Sequence, residues 1–334
     1  MKLTMCIVGC GGYARNVLGD IHDMTDEFDY YFASRDISKA QQYSEDFGGV
    51  GAFGAYEEAA ADPRVQSLYF FTPHDTHLDN VKLAAKHGKH ILIEKPIART
   101  LDEAQEMIQI ARDAGVKLMV AENYRFLLTV DKALEIMRQG PVGDSFGELR
   151  QIELQAEGYS VPKEWRTSAE QNGGGVFIDG GIHYVDIMLN IGGYPESVHA
   201  IQPPQTHTEV EGEDGILMTA RLPGGVAAVI NFSRATPIRE TPHMVHLTGT
   251  KGKLSFVPNG NELSVENRQV RRTVRVPAPR RGVRQMVSEF RKAIEEDREP
   301  SMSGLEGTRD LAIVLAAYES ARTGEVVRLS EPQT

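Results

Sequence analysis

The sequence predicts an α/β protein of two domains: a doubly wound parallel sheet over residues 1–122, then an α+β domain over 123–334 with a large, mostly antiparallel open sheet. Three observations carry this. The 334 residues exceed what a single core usually fills. Up to residue 122, short apolar runs alternate with helix-compatible segments, the pattern of a parallel sheet covered on both faces. Beyond Tyr124-Arg125 the alternation gives way to strands separated by turn signals.

The first strand is the apolar run Leu3 to Val8, closed by Gly9-Cys10-Gly11-Gly12-Tyr13-Ala14 and followed by a helix from Arg15. Strand, then G-x-G-x-x-G/A, then helix is the fingerprint of a dinucleotide-binding Rossmann unit. Gly9 permits the tight turn, Gly11 lets backbone approach a pyrophosphate, and Ala14 allows close helix-sheet packing. N–H groups around Gly12 and Tyr13 at the helix start then hold the anion. The second strand, Tyr30 to Ala33, ends in Ser34-Arg35-Asp36. An NAD site usually carries an acid at this strand end for the ribose hydroxyls. Ser34 occupies that position, and Arg35 beside it is a bidentate phosphate partner. The expectation is NADP(H) over NAD(H), with Asp36 as the rival acidic reader if the strand ends later.

The alternation continues with a helix over Ser38 to Phe47, a strand over Gln66 to Thr72, a helix over His74 to His87, a strand over His90 to Glu94, a helix over Leu101 to Ala114 and a sixth strand over Lys117 to Ala121. Thr100 is placed to cap the fifth helix, with Glu103 at capping-box spacing. Two strand ends carry polar groups into the ligand crevice of such a sheet. Thr72-Pro73 follows the fourth strand, and Thr72 or His77 either contacts the cofactor or caps the next helix. Ile91-Leu92-Ile93-Glu94-Lys95-Pro96 is an apolar strand stopped by a proline, which leaves Lys95 at the sheet rim.

In the second domain, strands are expected at Gly147 to Glu157, Gly215 to Leu222, Val226 to Phe232, His243 to Thr248 and Lys253 to Phe256, with a hairpin at Asn259-Gly260. One face of that sheet is free for a subunit partner. Residues 268–284 hold seven arginines, which reads as an edge strand protected by charge or as a contact for a subunit or an anionic substrate. Leu305 to Arg322 is a helix with a core stripe at Leu311, Val314, Leu315 and Tyr318, and the last helices are placed to pack on the first domain.

With 36 basic against 47 acidic residues, the net charge is −11, which repels nucleic acid and anionic membranes. No run approaches the ~18 apolar residues of a membrane span, and the first apolar run lacks a cleavage pattern, so it reads as core rather than a signal peptide. Cys6 and Cys10, the only cysteines, lie four apart across a strand and a turn. They read as reduced, hence a cytoplasmic setting.

Gly173-Gly174-Gly175 introduces a stretch in which Asp179 and His183 are four apart, on one side of a helix, with Asp186 extending that face. A histidine tuned by a carboxylate suits a general base for an alcohol. A metal site would need a third strong ligand that the spacing does not supply, so none is expected. A structural His-Asp bond is the remaining alternative.

The Gly9 fingerprint, Thr72-Pro73, Glu94-Lys95-Pro96, Trp165-Arg166 and Asp179-x-Gly-x-His183-x-x-Asp186 occur in an order that resembles the glucose-fructose oxidoreductase, inositol dehydrogenase and MocA-like family over nearly the whole chain. The resemblance implies an oxidoreductase with an N-terminal Rossmann domain and a C-terminal sheet domain that mediates dimers or tetramers. It implies a catalytic set of Lys95, Asp179 and His183, a Lys95-Pro96 bond that is often cis, and Trp165 and Arg166 near the cofactor. His74 departs from it, since many relatives carry a small polar residue there. Tyr124, Arg125, Lys95, Asp179 and His183 are then the candidates to hold a sugar, polyol or related small carbonyl substrate. Two alternatives stand beside this: a hydrolase or eliminase that oxidises a sugar transiently and retains its nicotinamide, and a sensor of NADP(H) without turnover. The intact Lys95, Asp179 and His183 set argues against the sensor.

Overall fold

The computed structural model describes residues 2–138, 146–238, 243–277 and 281–333. They form two compact units, Met1–Glu122 with Val283–Thr308, and Asn123–Gly282 with Arg309–Thr334.

The first unit is a six-stranded parallel sheet: β1 (Leu3–Val8), β2 (Phe28–Ala33), β3 (Gly51–Phe53), β4 (Ser67–Phe70), β5 (His90–Ile93) and β6 (Leu118–Val120), in the spatial order β3-β2-β1-β4-β5-β6. Helices α1 (Gly12–Ile21), α2 (Ile37–Phe47), α3 (Tyr56–Ala61), α4 (His77–Lys86) and α5 (Leu101–Asp113) connect the strands. Because both faces are covered, β1 and β4 are apolar almost throughout, and Met5, Ile7, Leu68 and Phe70 are fully buried. Chain order reverses direction between β1 and β4, which pair from Met5↔Ser67 to Val8↔Phe70. That is the switch point at which such sheets bind ligands.

Thr100 caps α5 as expected, accepting from Glu103 N at 3.2 Å. The return half of the capping box is redirected, since Glu103 Oε2 accepts from Arg99 N at 3.0 Å and also pairs with the Arg99 guanidinium. The expected helix from His74 begins with a 3-10 turn, His74–Thr76, before α4. A helix not read from the sequence, Val283–Glu295, buries Val283, Met286, Val287, Phe290 and Ala293 at helical spacing in this unit. Its Arg291 Nε and Ser288 Oγ both reach Glu27 Oε2, at 3.1 and 2.9 Å.

The second unit is built on nine strands: β7 (Leu149–Glu157), β8 (Ser197–Ile201), β9 (Gly215–Arg221), β10 (Ala227–Ser233), β11 (Met244–Gly249), β12 (Lys253–Phe256), β13 (Glu262–Glu266), β14 (Arg271–Arg275) and β15 (Val327–Arg328). Their order is β14-β13-β12-β11-β7-β10-β9-β8-β15, antiparallel except between β7 and β10. Burial alternates along the strands, so one face is packed and the other is not. β14 is an edge strand, where Arg271 and Arg275 pair across the ladder with Glu266 and Glu262. Arg280 of the arginine-rich segment lies outside the described residues. Asn259-Gly260 forms the turn between β12 and β13. Among the described residues no helix is long and apolar enough to cross a membrane.

Candidate active site

In the first unit the glycine loop leaves β1 at the switch point. Gly9 has φ +102, and an added Cβ would lie 2.5 Å from the Phe71 carbonyl oxygen. Only glycine fits there. At Gly11 and Gly12 an added Cβ would meet nothing within 4 Å. Gly11 is the N-cap of α1 and makes no side-chain cap bond, while Tyr13 is exposed and Ala14 is fully buried. An open loop before helix N–H groups that no side chain caps is a cradle a pyrophosphate fits. These residues can hold a dinucleotide.

At the end of β2, Ser34 is buried and Arg35 is exposed. Asp36 is engaged elsewhere. Its Oδ1 accepts from Ser38 N at 3.0 Å and Ser38 Oγ at 2.6 Å, which caps α2 and holds its carboxyl below the usual carboxylate range.

The loops after β4 and β5 share that edge of the sheet. Thr72 Oγ1 accepts from Asn80 Nδ2 at 2.7 Å, and Pro73 is half-buried. His77 lies under these loops with no exposed surface. Its Nδ1 is 3.1 Å from the Pro96 carbonyl oxygen and 3.2 Å from that of Ile97, and its Nε2 is 3.3 Å from that of Thr72. Burial pulls the imidazole down to about 4, so the ring is neutral and its single N–H donates to a carbonyl of one loop while the ring packs against the other. The sequence left His77 open between contacting the cofactor and capping the next helix, and its side chain is instead buried between the loops. The Lys95-Pro96 peptide is cis, as the family resemblance implies.

Lys95 is largely buried, next to the carboxyl of Glu94. Glu94 accepts from Tyr69 Oη at 2.8 Å and is pushed up to about 7 by burial, opposed by Lys95 and the Tyr69 bond and reinforced by Glu122. Tyr69 and Glu122 were not singled out in the sequence. Glu122 follows β6 as Glu94 follows β5, and a charged residue directly after an apolar strand was the available signal.

A carboxyl raised from 4.5 to about 7 binds its proton more tightly in the folded chain than in the unfolded one. Its stabilising contribution is fully present below the ordinary carboxylate range and is lost as pH rises through about 7. The loss is on the order of 3 kcal/mol. Urea midpoints of the wild type should therefore fall between about pH 5 and about pH 8, and Glu94→Gln should reduce that fall, leaving the part that comes from Glu213, which burial also raises to about 7. An identical fall in the variant would remove Glu94 as its source.

In the second unit the residues after the glycine run form one continuous helical segment that starts with a π turn, Phe177–Gly181, and continues as the helix Ile182–Gly192. Such wide turns are frequent at functional sites. Asp179 lies in the π turn and pairs with Arg166, Nε to Oδ2 at 3.0 Å. The Arg166 guanidinium lies 4.2 Å from the Trp165 ring centroid. His183 is half-buried and stacks on Tyr124, ring centroids 4.3 Å apart and planes 17° apart. Asn259 Nδ2 donates to Tyr124 Oη at 3.0 Å and so fixes that ring. Asp186, expected on the same face as Asp179 and His183, is fully buried and paired with Arg125, whose Nε lies 2.7 Å from Oδ1. Arg125, expected toward substrate, thus spends its guanidinium on neutralising a buried carboxylate. In the second unit Asp179 pairs with Arg166, which lies over Trp165, and His183 stacks on Tyr124.

Comparison with known proteins gives a consistent picture. An oxidoreductase family described by an NAD-binding Rossmann fold matches residues 3–122, and the GFO/IDH/MocA C-terminal domain matches residues 134–255. The trans-1,2-dihydrobenzene-1,2-diol dehydrogenase of Mus musculus is 32% identical over 222 residues, 66% of this chain and 63% of that enzyme, so the match spans just under two thirds of the mouse protein's length. The 1,5-anhydro-D-fructose reductase of Ensifer adhaerens is 28% identical over 303 residues, 89% of each chain. Among solved structures, the aldose-aldose oxidoreductase of Caulobacter crescentus superposes with a TM-score of 0.88 at 24% identity, covering 98% of this chain and all of that one, which shows a shared fold.

Proposed function

Because the chain belongs to the GFO/IDH/MocA oxidoreductase family, we propose that it transfers hydride between a nicotinamide cofactor and a hydroxyl or carbonyl carbon of a sugar, polyol or related diol. One observation carries this reading furthest. An open glycine loop after β1 and a largely buried lysine after β5 lie on the same edge of one parallel sheet, at its switch point. The names of the relatives, a diol dehydrogenase and a reductase of an anhydrosugar, suggest a polyhydroxylated substrate.

The bound nicotinamide supplies the acceptor or donor of hydride. In the oxidative direction His183 takes the proton of the substrate hydroxyl as general base. Lys95 is the cation we assign to stabilising the negative charge that develops during the reaction. Asp179, kept in place by Arg166, orients the reacting groups and shares the proton load, while Tyr124 and Trp165 line the substrate side. Reduction reverses each step. A panel of polyols, sugars, diols and simple carbonyls, followed at the nicotinamide absorbance with NADP and NAD in parallel, tests the proposal. Release of an aglycone with no net absorbance change would point to the cofactor-retaining hydrolase or eliminase instead. Cofactor binding with no turnover across the panel would point to a sensor.

NADP(H) is the cofactor we favour. The support is that Arg35 is exposed beside Ser34 at the end of β2 while Asp36 is committed to capping α2. Removing a charge-assisted phosphate contact costs about 1.5–3 kcal/mol, so Arg35→Ala should weaken NADP(H) binding about tenfold to a hundredfold and leave NAD(H) nearly unchanged. Titration with both cofactors checks this, and equal losses for the two would exclude a phosphate role. We further propose that the protein is a homodimer or homotetramer joined through the open sheet face, where Ile201 and Leu217 are 55% and 40% exposed.

A further inference from the structure

We propose that Tyr318 and Glu213 are positioning residues for this reaction, because together they accept from four consecutive backbone N–H groups, Gly175 to Ile178, at the entry to the turn that carries Asp179 and leads into His183. The inference rests on the hydride-transfer reading above and adds to it two residues distant in sequence from the catalytic set.

A helix start leaves four N–H groups without intrahelical partners. At the entry to this turn the N–H groups of Gly175, Val176, Phe177 and Ile178 are all taken by Tyr318 and Glu213. Tyr318 Oη accepts from Gly175 N at 3.2 Å and from Ile178 N at 3.0 Å. The Glu213 carbonyl oxygen accepts from Val176 N at 2.9 Å. Glu213 Oε1 accepts from Phe177 N at 2.8 Å, and Tyr318 Oη donates to the same oxygen at 2.8 Å. The hydroxyl thus uses its one donor and both lone pairs. No ordinary N-cap side chain takes part, since Val176 at the cap makes none of these bonds through its side chain.

The glycine run that introduces the turn has its explanation in the same clamp. A Cβ at Gly174 would lie 2.5 Å from the Tyr318 ring, and one at Gly175 would fall on the Glu213 backbone. The run removes side chains so that the phenol and the carboxylic acid can reach the backbone they hold. Burial pushes the Glu213 carboxyl up to about 7, so a neutral acceptor of the same shape is a fair substitute for it. The last clamped donor, Ile178 N, belongs to the residue directly before Asp179, whose carboxylate pairs with Arg166. A shift of the hydroxyl is therefore passed to Asp179 and His183 with little chain in between to absorb it.

The test is a pair of conservative variants, Tyr318→Phe and Glu213→Gln, in the full-length protein. Tyr318→Phe frees Gly175 N and Ile178 N without changing ring packing. It should lower kcat about tenfold, the scale of a small misplacement of reacting groups, while KM and cofactor Kd stay close to wild type. Glu213→Gln keeps an acceptor at Oε1 and should retain wild-type kcat. A purely structural role would lower thermal stability in Tyr318→Phe and leave kcat of the folded enzyme unchanged, and that result overturns the proposal. A second readout does not need turnover. Amide exchange in the 173–186 segment should speed up in Tyr318→Phe, and the His183 imidazole signal, assigned by its loss in His183→Asn, should shift. If neither moves, the clamp is refuted. If they move while the wild type turns over nothing in the substrate panel, the clamp stands and the reaction assignment is what fails.

Discussion

Lys95→Ala is expected to lower turnover by a factor on the order of 10²–10³, the scale of losing one partner of a developing oxyanion, with cofactor affinity nearly unchanged. The ammonium is largely buried on the edge of the sheet that carries the glycine loop. A positive charge held there costs little to reorganise as negative charge appears on the substrate oxygen. The pyrophosphate cradle at Gly9, Gly11 and Gly12 is built from backbone of a different loop, so binding of the dinucleotide should survive the change. Single-turnover rates and cofactor titrations on the same preparation separate the two effects. The variant removes the ammonium beside Glu94, and the Glu94 carboxyl should move further upward, since Lys95 is the largest influence holding it down. Turnover close to wild type would remove Lys95 from the mechanism.

His183→Asn is expected to cost about 10²–10⁴ in the oxidative direction, the usual contribution of a positioned general base. Asparagine keeps a planar polar group against Tyr124 but cannot take the proton. Oxidation at close to the wild-type rate would assign the base elsewhere, with Asp179 the first candidate. Tyr124→Leu provides a graded comparison. It removes the stacked partner 4.3 Å from His183 and leaves the base in place, so its loss should be smaller than that of His183→Asn.

Asp36 and Asp186 show where reading from sequence stops. Both are acids at positions where spacing alone leaves their task open. Asp36 turns out to cap α2, and Asp186 turns out to be fully buried against Arg125. The first turns on whether the helix begins at Ile37 or at Ser38, a one-residue difference in the local pattern, and the second on a guanidinium sixty-one positions away.

What the chain alone determined is whatever is written in local order and periodicity. The parallel sheet, the Gly9 turn and the placement of Lys95 behind an apolar strand follow from apolar runs, glycine and proline, since these act on their own neighbourhood of backbone. Tertiary structure alone decided which polar groups each side chain meets. It made Tyr318 a cap rather than a core residue, Glu213 a buried acceptor, His77 a brace and Glu94 an acid near neutrality. Burial sets the strength of a hydrogen bond and the proton affinity of an acid, and burial is a property of what the rest of the chain brings alongside.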